Sequence, residues 1–204
     1  MLGSQKPIEL FCASAHPDER WRQQLDIHLS LMHRQGLIAT WYDRQITAGT
    51  EWAQAIDVHL NSASVILLLI SPDFFASDYC YGIEMKRALQ RHQTNEARVI
   101  PILLRPVDWK GAPFAHLQAL PTNTKPITTW NNQDEAFADV AAGIRRAVED
   151  LASSSASNAH SEKSVRELQG TGKYHLDNHR TVLGQVIGDH STVHQHFYHL
   201  PEEL

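Results

Sequence analysis

A chain of 204 residues is long enough for one well-buried domain and an appendage, and a tight fit for two full domains. Its net charge of −5 supplies no positive field to hold phosphate backbones or anionic lipid, which argues against nucleic acid and membrane surfaces as partners. Only Cys12 and Cys80 are present, far apart and each in an apolar stretch; the run Val65–Ile70 is far below the ~20 residues that span a bilayer, and Met1–Pro7 has no signal-peptide core. The expectation is a cytoplasmic protein with reduced thiols.

In chain order, Ile8–Ala13 reads as a first strand. After His16-Pro17, Asp18 and Glu19 fall in a first turn favourable to the helix dipole, and apolar residues recur at Trp21, Leu25, His28/Leu29 and Met32 until Gly36 stops the helix. Leu37–Trp41 supplies a second strand. The loop Tyr42–Gly49 leads to Thr50 as N-cap of a helix whose buried stripe is Trp52, Ile56 and His59/Leu60. Ser64–Ile70 is too uniformly apolar to be half-exposed and is expected to be the central strand, covered on both faces. Ser77 is placed to cap the next helix, which runs to about Arg91. Arg98–Leu104 is a fourth strand in which Pro101 cannot donate a ladder hydrogen bond, so it belongs near an edge or at a bulge. Pro126–Thr128 reads as a short fifth strand, and Phe137, Val140, Ile144, Val148 and Leu151 mark a closing helix.

The compact domain is expected over residues 1–152. Residues 153–172 open on small polar residues with no apolar period, which by composition is a flexible linker. Residues 173–204 hold a weak repeat, His179-Arg-Thr-Val against His190-Ser-Thr-Val, read as a short β-prone tail that needs a partner surface and is a candidate oligomerisation or sensing element. Histidines 190, 194, 196 and 199 invite a metal hypothesis, but Gly188, Thr192 and Val193 disfavour the helix that would align an i, i+4 pair, so no metal site is assigned.

The alternation of strands and helices predicts an α/β, flavodoxin-like fold, in which ligands sit outside the carboxyl ends of the strands. Three loops converge there: Ala13–His16, with Ser14 and His16; Tyr42–Gly49; and Ser71–Glu84. The segments Trp41–Trp52, Leu60–Glu84 and Val99–Trp109 resemble the BB loop, the third strand with its following helix, and the fourth strand of bacterial TIR domains, over roughly residues 7–150. The resemblance implies a five-stranded parallel sheet, order 2-1-3-4-5, with helices on both faces. It also implies the cleavage of NAD that many prokaryotic members carry out, with NAD as substrate and no other cofactor.

In that family the catalytic glutamate stands four residues after an aromatic or Cys position, the spacing of Cys80 and Glu84 here. Residues four apart share a helix face, so thiol and carboxylate are expected to look into one cleft. Nicotinamide is already a cationic leaving group; positive charge develops on the ribose as the bond stretches, and a fixed anion stabilises it. For an arbitrary Glu the plainer reading is an exposed side chain pairing with Lys86 or Arg87. The resemblance further implies that Asp43 and Arg44 contact ribose or diphosphate, against the plain reading of a turn residue and a solvated cation. Relatives often carry an aromatic after strand one where this chain has Ala13-Ser14-Ala15, so base stacking is expected from Tyr81, Trp41 or a neighbouring subunit. Ser77 completes the candidate binding set.

Two functions compete. One is an NAD nucleosidase of a bacterial immune or cell-suicide system, switched on by homo-oligomer or filament assembly and triggered by a protein or nucleotide signal. The other is a non-catalytic adaptor acting through homotypic TIR contacts, which leaves the acid at position 84 unexplained. A phospho-accepting receiver would need an Asp where Ser71-Pro72 stands, and a Rossmann dehydrogenase would need Gly-x-Gly-x-x-Gly after the first strand.

Overall fold

A computed structural model of the chain describes residues 6–42, 45 and 51–169; of residues 52, 53 and 155–169 the backbone alone is described. The tail 173–204, with its repeat and histidines, lies outside the described residues, as do Asp43, Arg44, Gly49 and Thr50. The chain divides into two units, residues 1–161 and 162–204.

Strands β1 (Ile8–Ala13), β2 (Ile38–Trp41), β3 (Val65–Ile70) and β4 (Arg98–Leu103) form one parallel sheet in the order β2-β1-β3-β4. Helices α1 (Glu19–Arg34), α2 (Trp52–Ser62), α3 (Pro72–Ala76), α4 (Met85–Gln93) and α5 (Gln133–Gln169) make the connections and the closing element. All six residues of β3 are buried because the sheet is covered on both faces. Leu10, Val65, Leu67 and Leu69 pack with Leu25, Leu29 and Met32 of α1 and Phe137, Val140 and Ile144 of α5. Phe11, Ile66, Leu68 and Ile70 pack on the opposite face with Ile56 and Leu60 of α2, Phe74, and Ala88 of α4.

The expected fifth strand is absent as such: Ile127–Thr129 is a 3-10 turn, and the fifth position of the sheet is held by a single parallel bridge between Ile102 and Leu120. Pro101 explains the arrangement. The Leu104 N–H donates to Ile70 of β3, whereas the Leu103 N–H and the Pro101 carbonyl exchange bonds with Leu120 on the other side, each at 2.8 Å. Position 101 therefore turns its main chain away from β3, where a missing N–H costs no ladder bond.

Gly36 ends α1 as its position predicts. With φ of 68° it adopts the left-handed conformation, the Gly36 N–H donates to His33 O and the Leu37 N–H to Met32 O, satisfying the last carbonyls of the helix. Asn95 repeats the device after α4, with φ of 58° and the Glu96 N–H donating to Arg91 O. At the other end of the chain α5 carries its helical backbone through residues 153–169, where composition reads as linker. Neither Gly nor Pro interrupts the sequence between Ile144 and Gln169, and adding a residue to an existing helix costs far less than nucleating one.

Candidate functional site

The turn after β1 carries Ser14, half-buried, and His16, exposed, the latter opening a 3-10 turn over His16–Asp18. Asp18 is not a dipole-stabilising surface acid; it has no exposed surface and makes no capping bond to α1. Ser71, equally buried, donates its hydroxyl to Asp18 and accepts the Phe74 N–H at 3.0 Å, capping α3. Arg105, just after β4, donates to Asp18 at 3.2 Å and to Asp73 in the first turn of α3. These two hydrogen bonds to carboxylates, Asp73 first, raise the Arg105 pKa above its usual value.

From α3 the chain passes through Ser77 into a π-helical segment, Asp78–Glu84, where the expectation was a continuous α-helix. Ser77 caps it as predicted: its hydroxyl accepts the Cys80 N–H at 3.2 Å, and its carbonyl accepts the Tyr81 N–H at 3.0 Å. The Met85 N–H donates to Cys80 O, the i→i+5 bond that defines the wider coil. A four-residue step falls slightly short of a turn in this coil and slightly beyond one in an α-helix, so Cys80 and Glu84 keep a common side. Both are buried, 6% and 4% exposed, while the intervening Ile83 is 54% exposed. Glu84 is therefore not the exposed side chain of the plain surface reading, and Arg87 donates to Asn61 and Gln90.

The two rings considered for base stacking are engaged in packing. Tyr81 lies 5.3 Å from the Phe75 ring, which stacks in turn on Phe114. Trp41 stacks on Phe11 at 5.4 Å and on His59 at 4.2 Å, and lines a cavity of about 420 Å³ beside β2 that none of Ser14, His16, Ser77, Cys80, Tyr81 and Glu84 reaches. Tyr42, the last described residue before Asp43, is held by the Arg22 guanidinium 3.5 Å above its ring. Burial is the largest influence on Arg22 and opposes its charge; the paired hydrogen bonds from its Nε and Nη2 to Glu19, at 3.0 and 2.9 Å, together with the charge attraction of Glu19 and smaller electrostatic contributions from Cys12 and Tyr42, raise its pKa on balance.

The carboxyl ends of β1, β3 and β4 thus bring together the His16–Asp18 turn, the start of α3 and Arg105, and the segment leading from α3 carries Ser77, Cys80, Tyr81 and Glu84. Sequence reasoning misses the Asp18–Ser71–Arg105–Asp73 cluster, of which Asp18 and Ser71 are buried and Arg105 and Asp73 half-buried. Its only local signal is Ser71-Pro72 at a helix start, because its members are brought side by side by the order of the strands. Among the described residues no group of three His, Cys, Asp or Glu side chains is arranged to hold a metal ion, and no helix is long and apolar enough to cross a membrane.

Residues 11–141 match the family model for the TIR domain. The chain is similar to the uncharacterized protein y4lF of Sinorhizobium fredii, 54% identical over 138 residues; the match takes in 68% of this chain and 43% of that protein, so this chain spans less than half of its relative's length. It is also similar to the crystal structure of the TIR domain of the Toll-related receptor TRR-2 from Hydra magnipapillata, at 26% identity and a TM-score of 0.38, covering 48% of this chain and 72% of that one. The family match takes in well over half of the sequence, from the end of β1 into α5, and the chain belongs to the TIR-domain family.

Proposed function

We propose that this TIR domain cleaves the nicotinamide–ribose bond of NAD, with Glu84 as the carboxylate that stabilises the developing positive charge on the ribose. Water attack at the anomeric carbon gives nicotinamide, ADP-ribose and a proton; attack by a hydroxyl of the same molecule gives a cyclic isomer. The observation that carries the reading is the burial of Glu84, 4% exposed, on a π-helical turn beyond the carboxyl end of β3. An anion withdrawn from water acts on a nearby cation at a lower effective dielectric than a surface Glu does, and π-helical turns recur at functional sites. Nicotinamide leaves without prior protonation, so one carboxylate and a closed pocket are sufficient machinery.

Such burial also means that a nucleotide reaches Glu84 only when the segments covering it part. This supports activation by assembly: TIR domains associate homotypically, and packing of one domain on the next is the event that would open and complete the site. On this reading the protein is a cytoplasmic NAD nucleosidase of a bacterial immune or cell-suicide system, with NAD and further copies of itself as partners. Ser14, His16, Ser77, Cys80 and Tyr81 would line the pocket, and Asp43 and Arg44, outside the described residues, would reach the ribose or diphosphate.

Purified protein incubated with NAD, with and without a crowding agent, tests this through nicotinamide release. Wild type is expected to release nicotinamide under assembly conditions and Glu84→Gln to lose about 100-fold or more of that rate. Equal release from both removes Glu84 from the chemistry. No release from either under any assembly condition selects the adaptor function.

A further inference from the structure

Four side chains from three separate connections meet in one linked cluster. Asp18, with no exposed surface, receives the Ser71 hydroxyl on one oxygen and Arg105 on the other, and Arg105 also holds Asp73. Both oxygens of Asp18 are thereby engaged within the protein, and the charge of Arg105 is spent on two carboxylates. The cluster is poorly suited to bind a ligand anion or to transfer a proton, and well suited to fix the relative height of three loops.

We propose that Asp18, Ser71, Asp73 and Arg105 form a positioning network that sets the π-helical turn bearing Glu84, so that Arg105 governs the cleavage step without touching the nucleotide; this rests on the reading of Glu84 given above. The connection is continuous. Ser71 caps α3 through the Phe74 N–H, and Arg105 holds Asp73, whose carbonyl, with that of Phe74, accepts the Ser77 N–H at 3.1 and 3.4 Å. Ser77 then takes the Cys80 N–H on its hydroxyl and the Tyr81 N–H on its carbonyl, starting the turn that ends at Glu84. A π-helix is a poor coil by itself and persists where its ends are held. Here the held end is Ser77, and what holds α3 ahead of it is the charge cluster. Stability alone does not call for such a cluster, because well-packed apolar side chains replace buried ion pairs at little or no loss.

The test compares the full chain with Arg105→Gln, Asp73→Asn and the conservative Arg105→Lys, reading NAD cleavage and amide hydrogen exchange. Arg105 and Asp73 side chains are 35% and 36% exposed, and all three variants leave the buried Asp18–Ser71 hydrogen bond in place. In Arg105→Gln, kcat is expected to fall about tenfold with KM for NAD within about twofold of wild type, the pattern of a misplaced catalytic group. Asp73→Asn loses less, and Lys, which reaches one carboxylate rather than two, recovers part of the rate. The amides of Cys80, Tyr81 and Met85 exchange faster in Arg105→Gln while those of β1 and β3 do not change. A raised KM at unchanged kcat would make Arg105 a binding residue and overturn the proposal, as would wild-type kcat or unaltered exchange at those three amides. If wild type itself releases no nicotinamide, the reading of Glu84 fails, and the exchange measurement alone still decides whether the network sets this turn.

Discussion

Arg91 at the amino-terminal edge of the sheet is as buried as Glu84 at the carboxyl-terminal edge, 5% against 4% exposed, yet the two charges are buried for different ends. Arg91 donates to the carbonyls of Leu60 and Ala63 at 2.6 and 2.7 Å and to the carbonyl of Glu96 at 3.2 Å. Those are orphan carbonyls at the end of α2 and in the turn before β4, so the guanidinium closes helix ends that would otherwise be buried unsatisfied. Arg91 also pairs its Nε with the exposed Glu96 carboxylate at 3.4 Å; at the opposite edge the pairing draws in a wholly buried carboxylate, Asp18 with Arg105, and Arg105 in turn holds Asp73. Main-chain groups need a donor wherever helices end, and a single Arg serves; a cluster of side-chain charges at the open end of parallel strands holds loops in one arrangement where ligands enter. One edge is sealed, the other is set.

Substitutions sort the two edges. Arg91→Ala, the largest expected effect, should cost about 3 kcal/mol in urea unfolding, because the carbonyls of Leu60 and Ala63 lose their donor in a dry site. Its cleavage rate per folded molecule should match wild type, and a rate that falls with stability intact would place the amino-terminal edge in the catalytic apparatus. Glu84→Gln should do the reverse, losing about 100-fold in nicotinamide release while shifting the unfolding midpoint by about 1 kcal/mol or less. Gly36→Ala belongs with Arg91: a side chain forced into the left-handed conformation costs about 1–2 kcal/mol, read as a lowered thermal midpoint with no change in rate per folded molecule. The smallest effect is at Glu9, whose hydrogen bonds from Lys6 and Ser62 hold its carboxyl below the usual value. A lowered folded pKa contributes stability that is present above the unfolded value, about 4.3, and lost as pH falls through the folded one. Glu9→Gln should therefore flatten the stability profile below about pH 4.5 and leave its shape at neutral pH unaltered, as followed by urea unfolding at a series of pH values.

Much of this was legible from local pattern. The unbroken run Val65–Ile70 placed β3 at the centre because only a strand covered on both faces can be apolar at every position, and it is buried throughout. Pro101 pointed to an edge, and its main chain turns away from β3 to a lone bridge. Gly36 marked the end of α1, and Ser77 the start of the next segment. The fifth strand failed because Pro126-Ile-Thr128 is too short for a pattern to separate a strand from a turn, and the linker reading stopped short of a helix that composition does not favour but continuity sustains. The candidate Glu84 was legible through its spacing from Cys80 within a family motif; its burial and the π form of its coil were not, because neither leaves a periodic trace in seven residues.

By itself the sequence determined the parallel α/β architecture, the TIR family and the placing of an acid four residues beyond Cys80, since periodicity, helix ends and short motifs are properties of neighbours along the chain. Only the tertiary structure decided that Asp18 is a wholly buried carboxylate tied to Ser71, 53 positions away, and to Arg105, 87 positions away. Those distances are closed by the strand order, which sets β1 beside β3 and β3 beside β4, and a side chain's partners across such a sheet are fixed by topology rather than by anything its own neighbours spell out.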